Sequence, residues 1–227
     1  MKKLFSLLLS LIVCLSIAPD AFAADKGYEI ENKTIQVIQR SFGGSAVQVY
    51  FELHNTSDKP LFCKSGTAEL EDSTGHLIGT SKSVSANPEI ILPGETAYYT
   101  DVLYLDETID FTPELYVKAK AEEAKVSQIM FEVSDVSFSQ DAFGVLSAVG
   151  RVKNNTGKDV DGLISVSLLL YDKDKNFLGK LNTYLTDDLE DGDRTSFELS
   201  GLMLPGKISV NDIDSFAAYS WLQQFQF

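Results

Sequence analysis

The chain repeats itself at a spacing of about 100 residues, and a repeat has to be settled before any other feature because it sets the architecture. With the segment from Val47 laid beside that from Ser147, Val49 falls on Val149, Asn55 on Asn155, Thr56 on Thr156, Leu70 on Leu170 and Asp72 on Asp172. Leu77-Ile78-Gly79 then meets Phe177-Leu178-Gly179, and Pro93-Gly94-Glu95 answers Asp191-Gly192-Asp193 at a slightly shorter spacing. The expectation is a duplicated domain.

Each copy has the same local pattern. In the second, Leu146–Val152 alternates as a strand, Lys153–Lys158 is a polar turn, and Val160–Tyr171 is a longer β-rich run closed by Asp172-Lys173-Asp174-Lys175-Asn176. Asp191-Gly192 precedes a further alternating run, Thr195–Leu199. The first copy runs Val47–Leu53, the turn His54–Pro60, and Ala68–Asp72 into Ser73-Thr74-Gly75. Short strands at roughly 8–12-residue spacing with polar turns describe a β-sandwich. The fold class expected is therefore all-β: two tandem immunoglobulin-like sandwiches over 24–120 and 121–227. Lys118–Lys125, charged and rich in helix formers, is expected to join them as a linker, with a helical turn or a strand end as alternatives.

The first 23 residues are set apart. Met1-Lys2-Lys3, the apolar run Leu4–Ile17 and the triplet Ala21-Phe22-Ala23 are the three parts of a secretory signal peptide with cleavage after Ala23. That apolar run falls short of the ~20 residues a membrane-crossing helix needs, so no integral membrane segment is expected after cleavage. A secreted or extracytoplasmic location follows, with association to the cell envelope left open. Cleavage removes Cys14 and leaves Cys63 alone, so no disulfide forms within the mature chain and stability must come from packing. After Leu61-Phe62, Cys63 is expected as a small buried hydrophobe.

The formal net charge of −14 becomes one unit more negative once Lys2, Lys3 and Asp20 are gone. Such a surface repels phosphate backbones and anionic lipid, which argues against nucleic acid as a partner.

Gly150–Gly157, with Leu168-Leu169-Leu170-Tyr171-Asp172 and Phe177-Leu178-Gly179, resembles the FxLYD domain of extracytoplasmic bacterial and archaeal proteins. Leu168 stands in the first motif place, where the family has Phe. The first copy keeps only Leu70 and Asp72, with Ala68 and Glu71 in the aromatic places. The telokin-like family of secreted sandwiches shares much of the pattern. Either resemblance implies a sandwich and no catalytic activity, and a shared sandwich says little about function.

Candidate chemistry is sparse. His54 and His76 fall in expected turns with no serine frame beside them, so no nucleophilic triad is expected. Asp172, Asp174 and Asn176 copy the first three ligand positions of a calcium loop, but Phe177 stands where that loop needs glycine and Thr183 where it needs glutamate. With oxygens from Asp187–Asp193 at the same end of the sandwich, they make a millimolar-class calcium site the one metal candidate. The competing reading is that both segments are solvated turns. Tyr98, Tyr99, Tyr104, Tyr116, Tyr219 and Trp221 lie on strand-like segments where alternation puts some outside. Tyr98, Tyr99, Tyr219 and Trp221 are the candidates for ligand contact, since an exposed aromatic row stacks on sugars or anchors a protein. The expected function is a non-enzymatic secreted or surface binding protein whose partner is a protein or an envelope polysaccharide. An envelope spacer and, behind it, a carboxylate hydrolase are the alternatives.

Overall fold

The computed structural model describes residues 27–126 and 128–223; the leader expected at 1–23, with Cys14, lies outside them. The protein is all-β, and every strand pair within its sheets is antiparallel. The N-terminal half carries β1 (Tyr28–Gln39), β2 (Ser45–Asn55), β3 (Leu61–Cys63), β4 (Gly66–Glu71), β5 (Leu77–Asn87), β6 (Ile90–Ile91), β7 (Thr96–Leu105), β8 (Glu114–Lys118) and β9 (Ala121–Glu123). The C-terminal half carries β10 (Glu132–Gln140), β11 (Leu146–Lys153), β12 (Ile164–Tyr171), β13 (Phe177–Leu185), β14 (Arg194–Ser200) and β15 (Ser215–Leu222).

The sheets of the two halves have matching strand orders. In the C-terminal half β10-β11-β14 and β13-β12-β15 are separate sheets. The N-terminal half has the same two triplets, β1-β2-β7 and β5-β4-β8, joined into one six-stranded sheet because β5, after pairing with β4 over Leu77–Val84, crosses to pair with β7 over Ser85–Asn87. Past that point the triplets overlie one another: a Cβ on Gly79 of β5 would lie 3.0 Å from a Leu105 methyl and 3.4 Å from a Leu103 methyl. One core, built on Val49, Phe51, Leu53, Leu70 and Tyr99, lies between the N-terminal triplets, and a second, built on Leu146, Ile164, Leu168, Leu170 and Phe197, between the C-terminal ones.

Paired replacements keep both cores close-packed. The Phe51 ring stacks on Tyr99 at 4.6 Å, and a Cβ on Gly66 would come within 2.9 Å of it. In the second half Gly150 takes the place of Phe51 and Val166 that of Gly66. There a Cβ at position 150 would lie 2.5 Å from the Phe197 ring, so the aromatic volume enters from β14 instead.

The closest likeness of the halves is an asparagine at the end of β2 and of β11. Asn55 Oδ1 accepts from the Ser57 N–H and hydroxyl while its amide donates to the carbonyls of Lys59 and Ile91. Asn154 Oδ1 accepts from the Thr156 N–H and hydroxyl while its amide donates to Lys158 and Leu189. Asn55 therefore corresponds to Asn154, and the pairing of Asn55 with Asn155 drawn from sequence is one residue out of step. In a strand that slip exchanges faces. Val49, fully buried, is matched by the fully buried Ala148, whereas Val149 is 45% exposed.

Residues 118–125 do not form a free linker. Ala121–Glu123 pairs with β3, Ala119 and Ala121 pack on the first core, and Glu122 and Glu123 reach Lys64 and Lys59 at 2.6 and 2.8 Å. The open edge of β3 takes up backbone groups that a linker would leave to water. Residues 121–123, placed by sequence beyond the boundary at 120, thus pair with the N-terminal half. Cys63 in β3 is buried, and desolvation pushes its thiol up to about 12.

Candidate functional site

A strand with one face on a core and one in water alternates in burial, yet β2 and β12 are buried almost throughout. The reason is that their second faces cover each other. Tyr50 of β2 packs with Leu169 of β12 and Phe177 of β13, and Tyr98, Tyr171, Ala217 and Tyr219 close around them. Tyr50 stacks on Phe177 at 4.4 Å, Tyr98 and Tyr219 meet at 4.9 Å, and the hydroxyls pair across the seam, Tyr50 with Tyr171 at 3.2 Å and Tyr219 with Tyr98. Gln48 adds a bond from its amide to the Leu178 carbonyl at 2.9 Å. A tyrosine suits this position, since its ring buries apolar area while its hydroxyl needs a partner that the opposite tyrosine supplies.

Beside this cluster the seam opens as a cleft of about 490 Å3. Its floor is Tyr50, Tyr98, Tyr171 and Phe177, and its rim carries Glu52, Asn32, Lys175 and the exposed Phe216. Asn32 sits in a β-bulge of β1 with φ 48°, a left-handed conformation that asparagine tolerates, and this aims its amide at Glu52 Oε2, 2.8 Å away. Glu52 also accepts from the Tyr50 hydroxyl. Burial first, then the bond to Glu52, pushes the Tyr50 phenol well above its ordinary value, and burial carries Tyr171 up to about 12. Both are protonated donors at neutral pH. Lys175 donates to the Ser215 hydroxyl at 2.9 Å and lies 3.4 Å from Asp214. The cleft thus offers aromatic surface, hydroxyls and one carboxylate with no cation within 4.0 Å among the described residues.

The same place on the C-terminal half is open to solvent. Asp135 occupies the corresponding bulge of β10 with φ 54° and pairs at 3.5 Å with Arg151, the counterpart of Glu52. Val149, Arg151, Ser196 and Glu198 stand where the first half has Tyr50, Glu52, Tyr98 and Thr100.

Of the aromatic candidates, Tyr99 is fully buried in the first core with its hydroxyl on the Lys64 carbonyl, and Trp221 is 3% exposed; neither reaches solvent as an exposed row would require. Tyr98 and Tyr219 face each other across the seam and are only half-buried at its edge. Alternation puts Tyr98 outside its own sheet correctly, but the second half roofs that outside. Tyr104 and Tyr116 are exposed, on other parts of the surface.

The calcium candidates are occupied by their own turn. Asp172 Oδ1 accepts from the N–H groups of Asp174 and Asn176 at 2.9 and 2.8 Å, Oδ2 accepts from the Asn176 amide, and Asp174 pairs with Lys173. These bonds, the Asn176 amide foremost, hold the Asp172 carboxyl below its ordinary value. The acidic loop is not at the same end. Tyr171 pairs with Phe177 at one end of β12 and Ile164 with Leu185 at the other, so Asp187–Asp193 lies a strand's length away, about 23 Å at ~3.3 Å per residue. There Asp188 is pushed up by the nearby Asp161. Among the described residues no group of three or more His, Cys, Asp or Glu is placed to hold a metal ion.

Asp72 closes the matching turn in the first half. It accepts from the Thr74 hydroxyl and from the N–H groups of Thr74 and His76, which hold its carboxyl down to about 2. Its folded pKa lies below the unfolded value of ~3.9, so its contribution is full above that value and is lost as the pH falls through about 2. The difference in unfolding midpoint between wild type and Asp72→Ala should shrink steadily between roughly pH 5 and 2. A difference that stays constant would show the turn to be held by something other than this charge. His76 is exposed in that turn, whereas His54, expected in a turn, lies in β2 with its ring on the Thr96 hydroxyl at 3.2 Å.

Among the described residues no helix is long and apolar enough to cross a membrane. No family model and no curated protein matches this chain.

Proposed function

We propose that this chain is an exported, non-enzymatic binding protein, made of two immunoglobulin-like copies of the FxLYD kind docked as one unit, with its partner held at the tyrosine cleft. The observation that carries the reading is the cleft itself: four aromatic rings, tyrosine hydroxyls and an unneutralised carboxylate at the junction of two similar halves. Junctions between domains are where ligand sites preferentially form. Aromatic floor with polar rim is the chemistry that holds a sugar ring by its apolar face and its hydroxyls, which favours an envelope polysaccharide over a protein. Removal of residues 1–23 as a signal peptide would place the protein where such a polymer is found.

The test is co-sedimentation and thermal unfolding with purified cell-wall polysaccharide, on wild type and on Phe216→Ala. A ligand that binds only the folded protein raises the midpoint. The rise is expected in wild type and lost in Phe216→Ala, whose side chain is 41% exposed and contributes little to either core. A wild type that neither sediments nor shifts would favour an envelope spacer. That second reading draws on the tyrosine hydroxyls paired across the seam, which stiffen it.

A further inference from the structure

The seam between the halves opens a second time, on the side where β7 has parted from β5, as a cavity of about 300 Å3. Lys180 of β13 lines it, half-buried. Its ammonium makes no hydrogen bond and has no carboxylate within 4.0 Å among the described residues. The nearest acid to act on it is Asp101, and both oxygens of that carboxylate are engaged, one with the Val102 N–H at 2.8 Å and one with the Ser81 hydroxyl.

An ammonium drawn out of water without a partner is costly, and lysines buried this far are ordinarily paired. Desolvation accordingly holds Lys180 below the ordinary lysine value, with Asp101 opposing the shift. Two further donors line the same cavity with their side chains uncommitted, the Asn182 amide and the Thr100 hydroxyl. Asp101 lines the cavity too, with its oxygens held by Val102 and Ser81, as does Gln48, whose amide is given to the Leu178 carbonyl; Phe177, Tyr104, Leu204 and Pro205 supply the apolar wall. A free cation, two donors and an apolar wall are complementary to an anion that carries a hydrocarbon body.

We propose that this cavity binds a small organic carboxylate, with its oxygens on the Lys180 ammonium, the Asn182 amide and the Thr100 hydroxyl and its apolar body against Phe177, Tyr104 and Pro205. The site shares the Phe177 ring with the tyrosine cleft but opens on another side of the seam, and stands whether or not that cleft holds a polysaccharide.

Calorimetric titration with sodium benzoate, sodium acetate and sodium chloride at matched ionic strength tests it. Benzoate should bind saturably at one site, acetate more weakly for lack of the body, and chloride should give no saturable heat. Lys180→Met keeps the length of the side chain and removes the charge. It should weaken benzoate by about thirtyfold or more, the loss expected when one partner of a desolvated charge pair is removed, while its own unfolding midpoint holds or rises. Asn182→Ala, at an exposed position, should weaken benzoate severalfold with no change in that midpoint, and serves if the first variant fails to fold. Benzoate heat that does not saturate, that chloride reproduces, or that both variants retain within a factor of about three would overturn the proposal.

Discussion

Leu169→Glu is expected to part the two halves of the molecule while leaving both cores intact. Leu169 is 1% exposed, belongs to neither core, and packs with the Tyr50 and Phe177 rings in the seam. Removing a buried leucine costs about 2–3 kcal/mol, and a carboxylate set among these rings adds a desolvation cost of several more. The glutamate is therefore expected to reach water by separating the sheets. The replacement is native to the fold: Glu69 occupies the matching place in β4, on a face that no sheet of the described residues covers. Small-angle scattering should show a larger radius of gyration, and calorimetry should resolve two transitions in place of one. An unchanged radius with a midpoint shift worth under about 1 kcal/mol would mean that the seam contributes little and the halves are held otherwise.

Asn154→Ala and Asn155→Ala, neighbours in sequence, are expected to differ by about 2–3 kcal/mol in stability. The Asn154 side chain is fully buried, and its removal leaves the Thr156 N–H without its partner and takes one of two donors from the Leu189 and Lys158 carbonyls, which keep the Val160 N–H and the Thr156 hydroxyl. Asn155 is exposed, so its truncation should stay within about 0.5 kcal/mol. Urea unfolding of the two variants reads the difference directly. Asn55→Ala should behave as Asn154→Ala does, because it ties the same turn in the first half. Equal effects at 154 and 155 would remove the correspondence of Asn55 with Asn154 and restore the sequence pairing.

That pairing shows how far a single sequence carries. The Asn154-Asn155 doublet gives an aligner two equal choices, and the burial that separates them is absent from the letters. Strands such as Leu146–Val152 and Thr195–Leu199 were legible because a pleated strand alternates with a period of two, a local rule. The turn on Asp172 was legible for a similar reason, since its aspartate bonds to backbone groups only two and four residues away. The resemblance of Leu168–Asp172 to an FxLYD motif likewise rested on a strand and the turn that ends it. For the charged segment 118–125 the sequence left a linker, a helical turn and a strand end open; the free edge of β3 selects the strand, since helix propensity is a weak preference.

The sequence by itself determined the β class, the repeat, the turns and which residues share a strand face, since each follows from contacts between near neighbours. Only the tertiary structure decided what that face meets. Tyr171 and Tyr219 stand in the seam, while their counterparts Glu71 and Lys118 stand on a face of the first half that no sheet among the described residues covers. Tyr50 and Tyr98 are roofed, while their counterparts Val149 and Ser196 are open. Whether an outer face is surface or seam depends on a second sheet about 100 residues away, and no rule of period two reaches that far. For the same reason the tyrosines read from sequence as an exposed row became a joint with a cleft beside it. Lys180, one more surface cation in the sequence, became an unpaired charge lining a cavity.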